Sequence, residues 1–135
     1  MIKKSAIVLL CLLFCALTAC SYQKETIGKV SELDFTVLRE EEIPQELAKI
    51  IEEKKEKPFH VTYEDDALYI AVGYGKQQSG GYSIEARELY LGENTINFHT
   101  RLIGPQKDEK VEESASYPYI VVKTEYRDER VVFEN

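Results

Sequence analysis

The chain has 135 residues, of which 24 are acidic and 17 basic, so its formal net charge is −7 at pH 7. This length suits one domain with its own hydrophobic core. A surface this acidic repels phosphate backbones and anionic lipid headgroups, which argues against a nucleic-acid partner and against direct binding to a membrane surface.

The first twenty residues have the pattern of an export signal. Lys3 and Lys4 are followed by a run from Ser5 to Leu17 that carries no charge and is mostly apolar. This run is too short to span a bilayer comfortably as a mature helix, and small residues follow it. The pattern predicts a cleaved signal peptide.

The stretch Leu17-Thr18-Ala19-Cys20 resembles the lipobox of bacterial lipoproteins. The resemblance implies removal of residues 1–19, acylation of Cys20 and a lipid anchor at the extracytoplasmic face of a bacterial cell membrane. Two acyl chains hold a protein where one is marginal, since each buried methylene adds about 0.8 kcal/mol. The alternative is a plain secretion signal or an uncleaved anchor that ends in cysteine.

Cleavage before Cys20 would remove Cys11 and Cys15, and acylation would use the remaining thiol. The mature chain would then have no cysteine for a disulfide, a thiolate metal site or a nucleophile. It would keep 15 basic residues against 24 acidic ones, a net charge of −9. We therefore expect no membrane contact beyond the lipid anchor.

The mature chain divides into a tether at residues 20–30 and a single β-rich domain at residues 31–135. Residues 21–29 are mostly polar and suit a short spacer. Leu33, Phe35 and Val37 then alternate with polar residues, which predicts a strand with one buried face.

One amphipathic helix is predicted near the N-terminus of this domain. Pro44 lies where a helix can begin, and the charged stretch before Pro58 suits its end. Apolar residues recur there at three- and four-residue spacing, namely Ile43, Leu47, Ile50 and Ile51.

After Pro58 the chain has the pattern of a sheet. Segments rich in Val, Ile, Tyr and Phe are separated by short turns, and we count about seven strands. The pattern predicts a mainly β (α+β) fold, an antiparallel β-sandwich or strongly curled sheet with one helix. Tyr119 to Val122 are apolar in succession, so we expect that strand to lie centrally with both faces covered.

Side chains that could support catalysis or metal binding are sparse. His60 and His99 lie in strand-like runs without metal-ligand spacing, so ordinary strand histidines are the favoured interpretation. No GxSxG motif is present, and a hydrolase would need Ser79, Ser83 or another hydroxyl beside a histidine. The acidic residues 64–66 are explained by a turn more simply than by calcium. We predict no enzyme, no catalytic residue, no metal and no cofactor.

Two loops are the best candidates for a function. Ser79-Gly80-Gly81-Tyr82 contains two adjacent glycines where one is enough for a tight turn. Glycines allow another backbone to approach closely, and Tyr82 could anchor a partner. The alternative is a bulged turn in which Tyr82 is the first core residue of its strand. The second loop, Gly104 to Ser116, is long, acidic and irregular, so we expect it to be mobile or functional.

Three blocks in order resemble the C-terminal domain of the PrcB family of protease-complex subunits. The blocks are Leu68 to Lys76 followed by Ser79 to Glu85, then Gly104-Pro105, then Ser116 to Lys123. The resemblance covers about residues 68–124, with Ser79 where the family usually has Thr. It implies a non-catalytic lipoprotein or surface module associated with a protease.

A more distant likeness exists to the Gly-Tyr loop of chagasin-type protease inhibitors. This chain lacks the Asn-Pro-Thr-Thr that precedes their Gly-Tyr, and it also lacks their Trp-bearing partner loop. The sequence thus predicts a lipid-anchored extracytoplasmic module that binds a protein, an extracytoplasmic protease or its complex, through Ser79, Gly80, Gly81 and Tyr82. The alternative is an envelope lipoprotein that binds a small molecule or ion between sheet and helix.

Overall fold

A computed structural model describes residues 29–135 of the chain. The predicted signal peptide at 1–19, the predicted lipidation site Cys20 and the predicted tether as far as residue 28 lie outside the described residues. Across residues 29–135, no helix has the length and apolar character needed to cross a membrane.

The described chain is mainly β, as predicted, with eight strands and one α-helix. The strands are β1 (Ser31–Glu32), β2 (Phe35–Val37), β3 (Pro58–Glu64), β4 (Ala67–Tyr74), β5 (Ser83–Leu91), β6 (Thr95–Ile103), β7 (Tyr119–Glu125) and β8 (Arg130–Glu134). The helix α1 (Gln45–Lys54) begins after Pro44 and ends within the charged stretch, as predicted. It follows β1, β2 and a 3₁₀ turn (Glu40–Glu42), so the placement near the N-terminus of the domain is corrected.

The strands form two four-stranded sheets, as expected for a sandwich. Sheet A has the order β1-β5-β6-β8 and sheet B has the order β2-β7-β4-β3. The prediction of antiparallel pairing holds for every pair except one, because β6 and β8 run parallel with Ile96 opposite Val131. The chain leaves sheet B after β7 and crosses to sheet A, so β8 arrives in the direction of β6.

The strand predicted from Leu33, Phe35 and Val37 is instead two short strands in different sheets. β1 pairs with β5 in sheet A, and β2 pairs with β7 in sheet B. Leu33 and Phe35 both pack into the space between the sheets, because the chain crosses from one sheet to the other there. Val37 lies at the sheet edge with half of its surface exposed (50%), so its predicted burial is wrong.

Sheet B is covered on both faces, which gives the molecule two apolar cores. The core between the sheets contains Leu33, Leu68, Ile70, Val72, Leu89, Ile96, Phe98, Ile120 and Val122. The core between α1 and sheet B contains Leu47, Ile51, Phe59, Ala67, Tyr69, Ala71 and Val121. Successive residues of β7 thus point into different cores, which confirms that this strand is central and explains its unbroken apolar run.

Polar side chains join the two sheets at one place. The Tyr74 hydroxyl lies 2.7 Å from Thr100 Oγ1, and Thr100 Oγ1 donates to Asn135 Oδ1 at 3.4 Å. Asn135 Nδ2 lies 3.3 Å from His60 Nε2, and the His60 ring stacks on Phe133 with centroids 4.2 Å apart. Because Tyr74 and His60 belong to sheet B and the other three lie in or beside sheet A, this chain of contacts helps to fix the sheets relative to each other.

Gly73 in β4 lies directly under the ring of Phe59 in β3. A methyl group at Gly73 would overlap the ring, so we expect Gly73→Ala to lower the free energy of unfolding by about 1–3 kcal/mol. In a Phe59→Leu background, which lacks most of the overlapping ring atoms, the same substitution should cost less than about 1 kcal/mol. Urea unfolding of the four proteins of this cycle measures the difference, and equal costs in the two backgrounds would show that the contact is not the cause.

Candidate functional site

The two loops singled out from the sequence lie together at one end of the sandwich. Residues 75–82 connect β4 to β5, and residues 104–118 connect β6 to β7. We call these two segments the loop pair. Gln77 and Ser116 form an isolated antiparallel bridge between them, with N···O distances of 2.8 and 3.1 Å. The loops therefore form one structural unit.

Further hydrogen bonds hold the double-glycine loop against the second loop. The Gly80 N–H donates to the Glu112 carbonyl at 2.9 Å, and the Ser116 hydroxyl donates to the Ser79 carbonyl at 2.7 Å. The Ser79 hydroxyl is directed to the Gly80 carbonyl at 3.1 Å. Between Gly104 and Ser116 the backbone has no strand, as predicted, yet its carbonyl and hydroxyl groups order the neighbouring loop.

Of the two adjacent glycines, Gly81 is the one that the local structure requires. Its φ is +85°, a left-handed conformation that residues with a side chain rarely adopt. A Cβ at Gly81 would lie 2.5 Å from Val111 Cγ1 and 2.9 Å from Pro105 Cβ. The close approach that the sequence predicted at this loop is thus made by the second loop of the same chain.

Gly80 differs from Gly81. A Cβ built on Gly80 would lie 3.7 Å from its nearest neighbours, all atoms of Glu112, which is ordinary van der Waals contact. Gly80 therefore has room for a side chain, whereas Gly81 has none on the side facing the second loop. Gly81 itself remains exposed on its other side.

Tyr82 precedes β5 and lies outside the core between the sheets. Its ring lies over Gly104, where an added Cβ would be 3.2 Å from Tyr82 Cε1. The side chain is half-buried, and Ile84 is the first residue of β5 that packs on the core. One face of the tyrosine thus rests on the second loop while the rest remains accessible, which is the disposition that an anchoring side chain needs.

The exposed surface of the second loop is mainly acidic. Residues 104–116 contain four carboxylates and two lysines, and all six side chains are exposed. At the end of this loop, the ammonium of Lys55, the residue that follows α1, lies 5.3 Å from the centre of the Tyr117 ring. A 2.6 Å hydrogen bond to Glu52 raises the pKa of Lys55.

The two histidines occupy strands, as predicted. His60 is exposed in β3 and bonded to Asn135, and His99 is half-buried in β6 between Glu88 of β5 and Glu134 of β8. Within residues 29–135, no hydrogen bond joins Ser79 or Ser83 to either histidine. The geometric requirement set for a hydrolase is therefore not met by these groups.

The alternative site predicted from the sequence is a pocket between sheet and helix, on the helix side of sheet B. The described part of the chain contains no group of three or more His, Cys, Asp or Glu side chains that could hold an ion. Asp65 and Asp66 form the two-residue turn between β3 and β4. The contact between α1 and sheet B is filled by apolar side chains, and the groove of about 400 Å³ beside it is open and lined mostly by charged residues of segment 53–57. A small-molecule or ion site there stays a prediction.

Sequence reasoning missed Pro105 and Val111, the side chains that cover Gly81. In the loop that carries them, apolar residues recur with neither the period of a strand nor that of a helix. The pattern therefore does not indicate which side chain of the loop is buried. A lone valine in an acidic stretch is the only signal that could have pointed to a buried contact.

The family model described as PrcB C-terminal matches residues 68–125. The matched segment runs from β4 to β7 and contains the whole loop pair. Its bounds agree with the segment in which the resemblance was identified, so the resemblance to a PrcB-type C-terminal domain is confirmed. No curated protein and no solved structure matches the chain.

The two adjacent glycines should respond differently to alanine. Gly81→Ala should lower the free energy of unfolding by about 1–3 kcal/mol, because a left-handed backbone costs about 1–2 kcal/mol and the methyl group meets Val111 and Pro105. Gly80→Ala should change it by less than about 0.5 kcal/mol. Urea unfolding of both variants tests this expectation, and a loss at Gly80 as large as that at Gly81 would contradict it.

Proposed function

We propose that this protein is a lipid-anchored, extracytoplasmic protein-binding module of the bacterial cell envelope, a non-catalytic subunit or partner of a protease complex. The loop pair would be its binding surface, with Ser79, Gly80, Gly81 and Tyr82 at the centre. The observation that carries this proposal is the bonding of the double-glycine loop to the second loop, which holds Tyr82 at the surface in a fixed setting.

Preorganisation is the first support for a binding role. The bridge at Gln77 and Ser116 and the bonds at Gly80 and Ser79 order both loops within the chain itself. A surface that is already ordered loses less conformational entropy when a partner binds, so more of its contact energy contributes to affinity. Neither loop is simply a connector of minimal length, since a two-residue turn suffices between β3 and β4.

The chemistry of the surface is the second support. Tyrosine is enriched among the side chains that contribute most to protein–protein affinity, because it combines a large rigid apolar face with one hydroxyl. The second loop adds exposed carboxylates to the same end of the sandwich, among them that of Glu112, whose carbonyl accepts from Gly80. A partner surface with a pocket for an aromatic ring and a rim of basic groups would complement both features.

The position at which the chain enters the described domain is the third support. Val30 donates from its N–H to the carbonyl of Leu91 at 2.7 Å, so the described domain begins beside the C-terminal end of β5. The loop pair lies at the opposite end of that strand, about 26 Å away at about 3.3 Å per residue, because residues 75–82 precede Ser83 and residues 104–118 follow its partner Ile103. In a domain held to a membrane through Cys20, the loop pair would lie at the end of β5 opposite to the point where the described chain begins.

The protease part of the proposal comes from the resemblance to PrcB-type subunits. The matched segment includes the loop pair, so the part of the chain that resembles the family is also the part that offers a preorganised surface. The proposal assigns no catalytic group to the chain.

Capture of the partner tests the binding surface. After mild cross-linking in membranes of the native host, an extracytoplasmic protease or its complex should be recovered with the wild-type chain and reduced at least about tenfold by Tyr82→Ala. Tyr90→Ala is the matched control, because Tyr90 is another half-buried tyrosine near the other end of β5. If both variants fold and recover the same proteins as wild type, the loop pair is not the binding surface.

Lipidation is tested independently of the partner. Radiolabelled palmitate should be incorporated into the wild-type chain and into Cys11→Ser, and the label should be lost in Cys20→Ser because the acylated residue is absent. The label rather than fractionation decides the test, because loss of the lipobox leaves the apolar run 5–17 on Cys20→Ser, and this run can hold the variant in the membrane without a lipid. Retention of the label in Cys20→Ser would contradict acylation of this cysteine.

A further inference from the structure

The strand β3 forms an uncovered edge of sheet B. The sheet order ends with β3, and within residues 29–135 no strand pairs with its outer side. The pairing of β3 with β4 is regular from Pro58 to Glu64 and contains no bulge. A regular strand edge of this kind offers free backbone N–H and C=O groups to which another strand can add.

The hydrogen bonds of the β3–β4 hairpin indicate which backbone groups of β3 point outward. The Asp65 N–H donates to the Ala67 carbonyl at 3.1 Å, so Glu64 and Leu68 form a non-hydrogen-bonded pair. Hydrogen-bonded and non-hydrogen-bonded pairs alternate along an antiparallel ladder. The residues that direct their N–H and C=O groups to the free edge are therefore His60, Thr62 and Glu64.

These groups permit a symmetric antiparallel pairing of β3 with β3 of a second copy. With a two-fold axis at Thr62, this residue faces its own counterpart, and His60 faces Glu64 of the second copy. Each facing pair then exchanges two N–H···O bonds. The register thus uses every outward-directed residue of the edge.

Neighbouring registers use the edge less fully. An axis at Val61 places Glu64 opposite Pro58, which has no N–H. An axis at Tyr63 places His60 opposite residue 66, which lies in the turn beyond the strand. The axis at Thr62 is therefore the symmetric register that joins all three outward-directed residues to one another.

The side chains that meet in this register are complementary. His60 meets Glu64 on both sides of the axis, and Thr62 meets Thr62. On the other face of the strand, Val61 meets Tyr63. Opposite charges, Thr–Thr pairs and aromatic–β-branched pairs stabilise antiparallel strands when they face each other. All five side chains are exposed or half-exposed in one copy, so the contact would bury surface that is accessible there.

The free edge of sheet A lies directly beside the free edge of sheet B. β8 ends sheet A as β3 ends sheet B, and the His60 ring stacks on Phe133 of β8. At the other end of β3, Glu64 lines an open groove of about 270 Å³ together with Arg130, the first residue of β8. The two strands therefore run side by side in opposite directions, and the middle of one lies beside the middle of the other.

β8 has the same complementarity about its middle residue. A two-fold axis at Val132 places Arg130 opposite Glu134 and Val131 opposite Phe133 of the second copy. The first pair joins opposite charges, and the second joins an aromatic to a β-branched side chain. One axis can thus serve both edges. Use of the same patch by both copies is the isologous contact of a symmetric dimer.

Electrostatics restrict the association to a register of this kind. Each copy has a formal net charge of −7, which opposes contact between two copies, and unmatched edge carboxylates generally prevent edge pairing. Here Glu64 meets His60 and Glu134 meets Arg130, so the register that satisfies the backbone of β3 also matches the charges of both edges. This agreement favours a second copy as the occupant, since an unrelated segment has no reason to provide both matches.

We propose that two copies of this protein associate edge to edge through β3 and β8, about a two-fold axis that passes near Thr62 and Val132. Sheet B then continues from one copy into the other, with both α1 helices on one side and both copies of sheet A on the other. This interface lies along the side of the sandwich. It goes beyond the loop-pair surface proposed above and does not depend on it.

A cysteine at the axis tests the contact. In the dimer the two Cα atoms at position 62 lie about 5.5 Å apart, within the range that a disulfide spans. Mild oxidation of the full chain in its own membranes should therefore link Thr62→Cys into a dimer. Thr36→Cys is the matched control, because Thr36 is an exposed threonine on the opposite edge of sheet B, and it should give at least about fivefold less dimer. The chain without an added cysteine gives the background from its native cysteines.

Exchange of the facing charges tests the register. Added to Thr62→Cys, His60→Glu places two carboxylates opposite each other on both sides of the axis and should lower the dimer yield about fivefold or more. His60→Glu together with Glu64→His restores a facing pair of opposite charge and should recover most of the yield. Such recovery identifies a contact between copies, because the stack of the His60 ring on Phe133 is lost in both variants.

Three outcomes would overturn the proposal. Equal dimer yields from Thr62→Cys and Thr36→Cys would indicate random collision in the membrane. An undiminished yield in His60→Glu, or no recovery in the double exchange when urea unfolding shows that it folds, would exclude this register. A product of Thr62→Cys with a different protein would assign the edge to another partner. Tyr82→Ala should leave the dimer yield unchanged, so a failure here is distinguishable from a failure of the loop-pair surface.

Discussion

The burial of sheet B on both faces is the constraint on which the rest of the structure depends. Its central strands β4 and β7 are fixed by the second sheet on one side and by α1 on the other. Each fully buried Leu or Ile of the helix contributes about 1.5–3 kcal/mol, so Leu47 and Ile51 alone fix the helix firmly. Both loops of the loop pair begin or end at these strands. The Tyr74 N–H donates to the Pro118 carbonyl at 3.1 Å, which ties the loops where they leave the sheet.

The double glycine illustrates how one motif serves packing and presentation together. Gly81 supplies the left-handed turn and the space for Val111 and Pro105, while Gly80 supplies an N–H to the Glu112 carbonyl. Packing of the double-glycine loop against the second loop is compatible with a binding role, because only one side of the loop is packed and the other side remains accessible to a partner.

The sequence predicts those parts of the fold that depend on local periodicity. The helix after Pro44, the turn at Asp65 and Asp66 and the central position of β7 all follow from spacing or turn chemistry. The division of segment 33–37 between two sheets does not, because alternation looks the same whether the buried face belongs to one sheet or to the space between two. The parallel pairing of β8 and the covering of Gly81 are likewise tertiary: the first depends on a crossing between sheets and the second on a loop without a period. For the site, the pattern indicated both loops but not that they bond to each other.

The strand order of sheet B also sets when the domain can fold. β7 lies between β2 and β4, and Val37 pairs with Val122 across most of the described chain. The hairpin of β3 and β4 can form early. In contrast, β2 has no strand to pair with until β7 is available, and α1 cannot complete its apolar core before Val121 of β7 is present. Contacts between residues so distant in the sequence slow folding. The conformational entropy of closing a long loop is lost before the contact between its ends stabilises the chain. A growing or translocating chain with this topology stays open until residues 119–125 emerge, and an exported protein that crosses a membrane unfolded gains time from that delay.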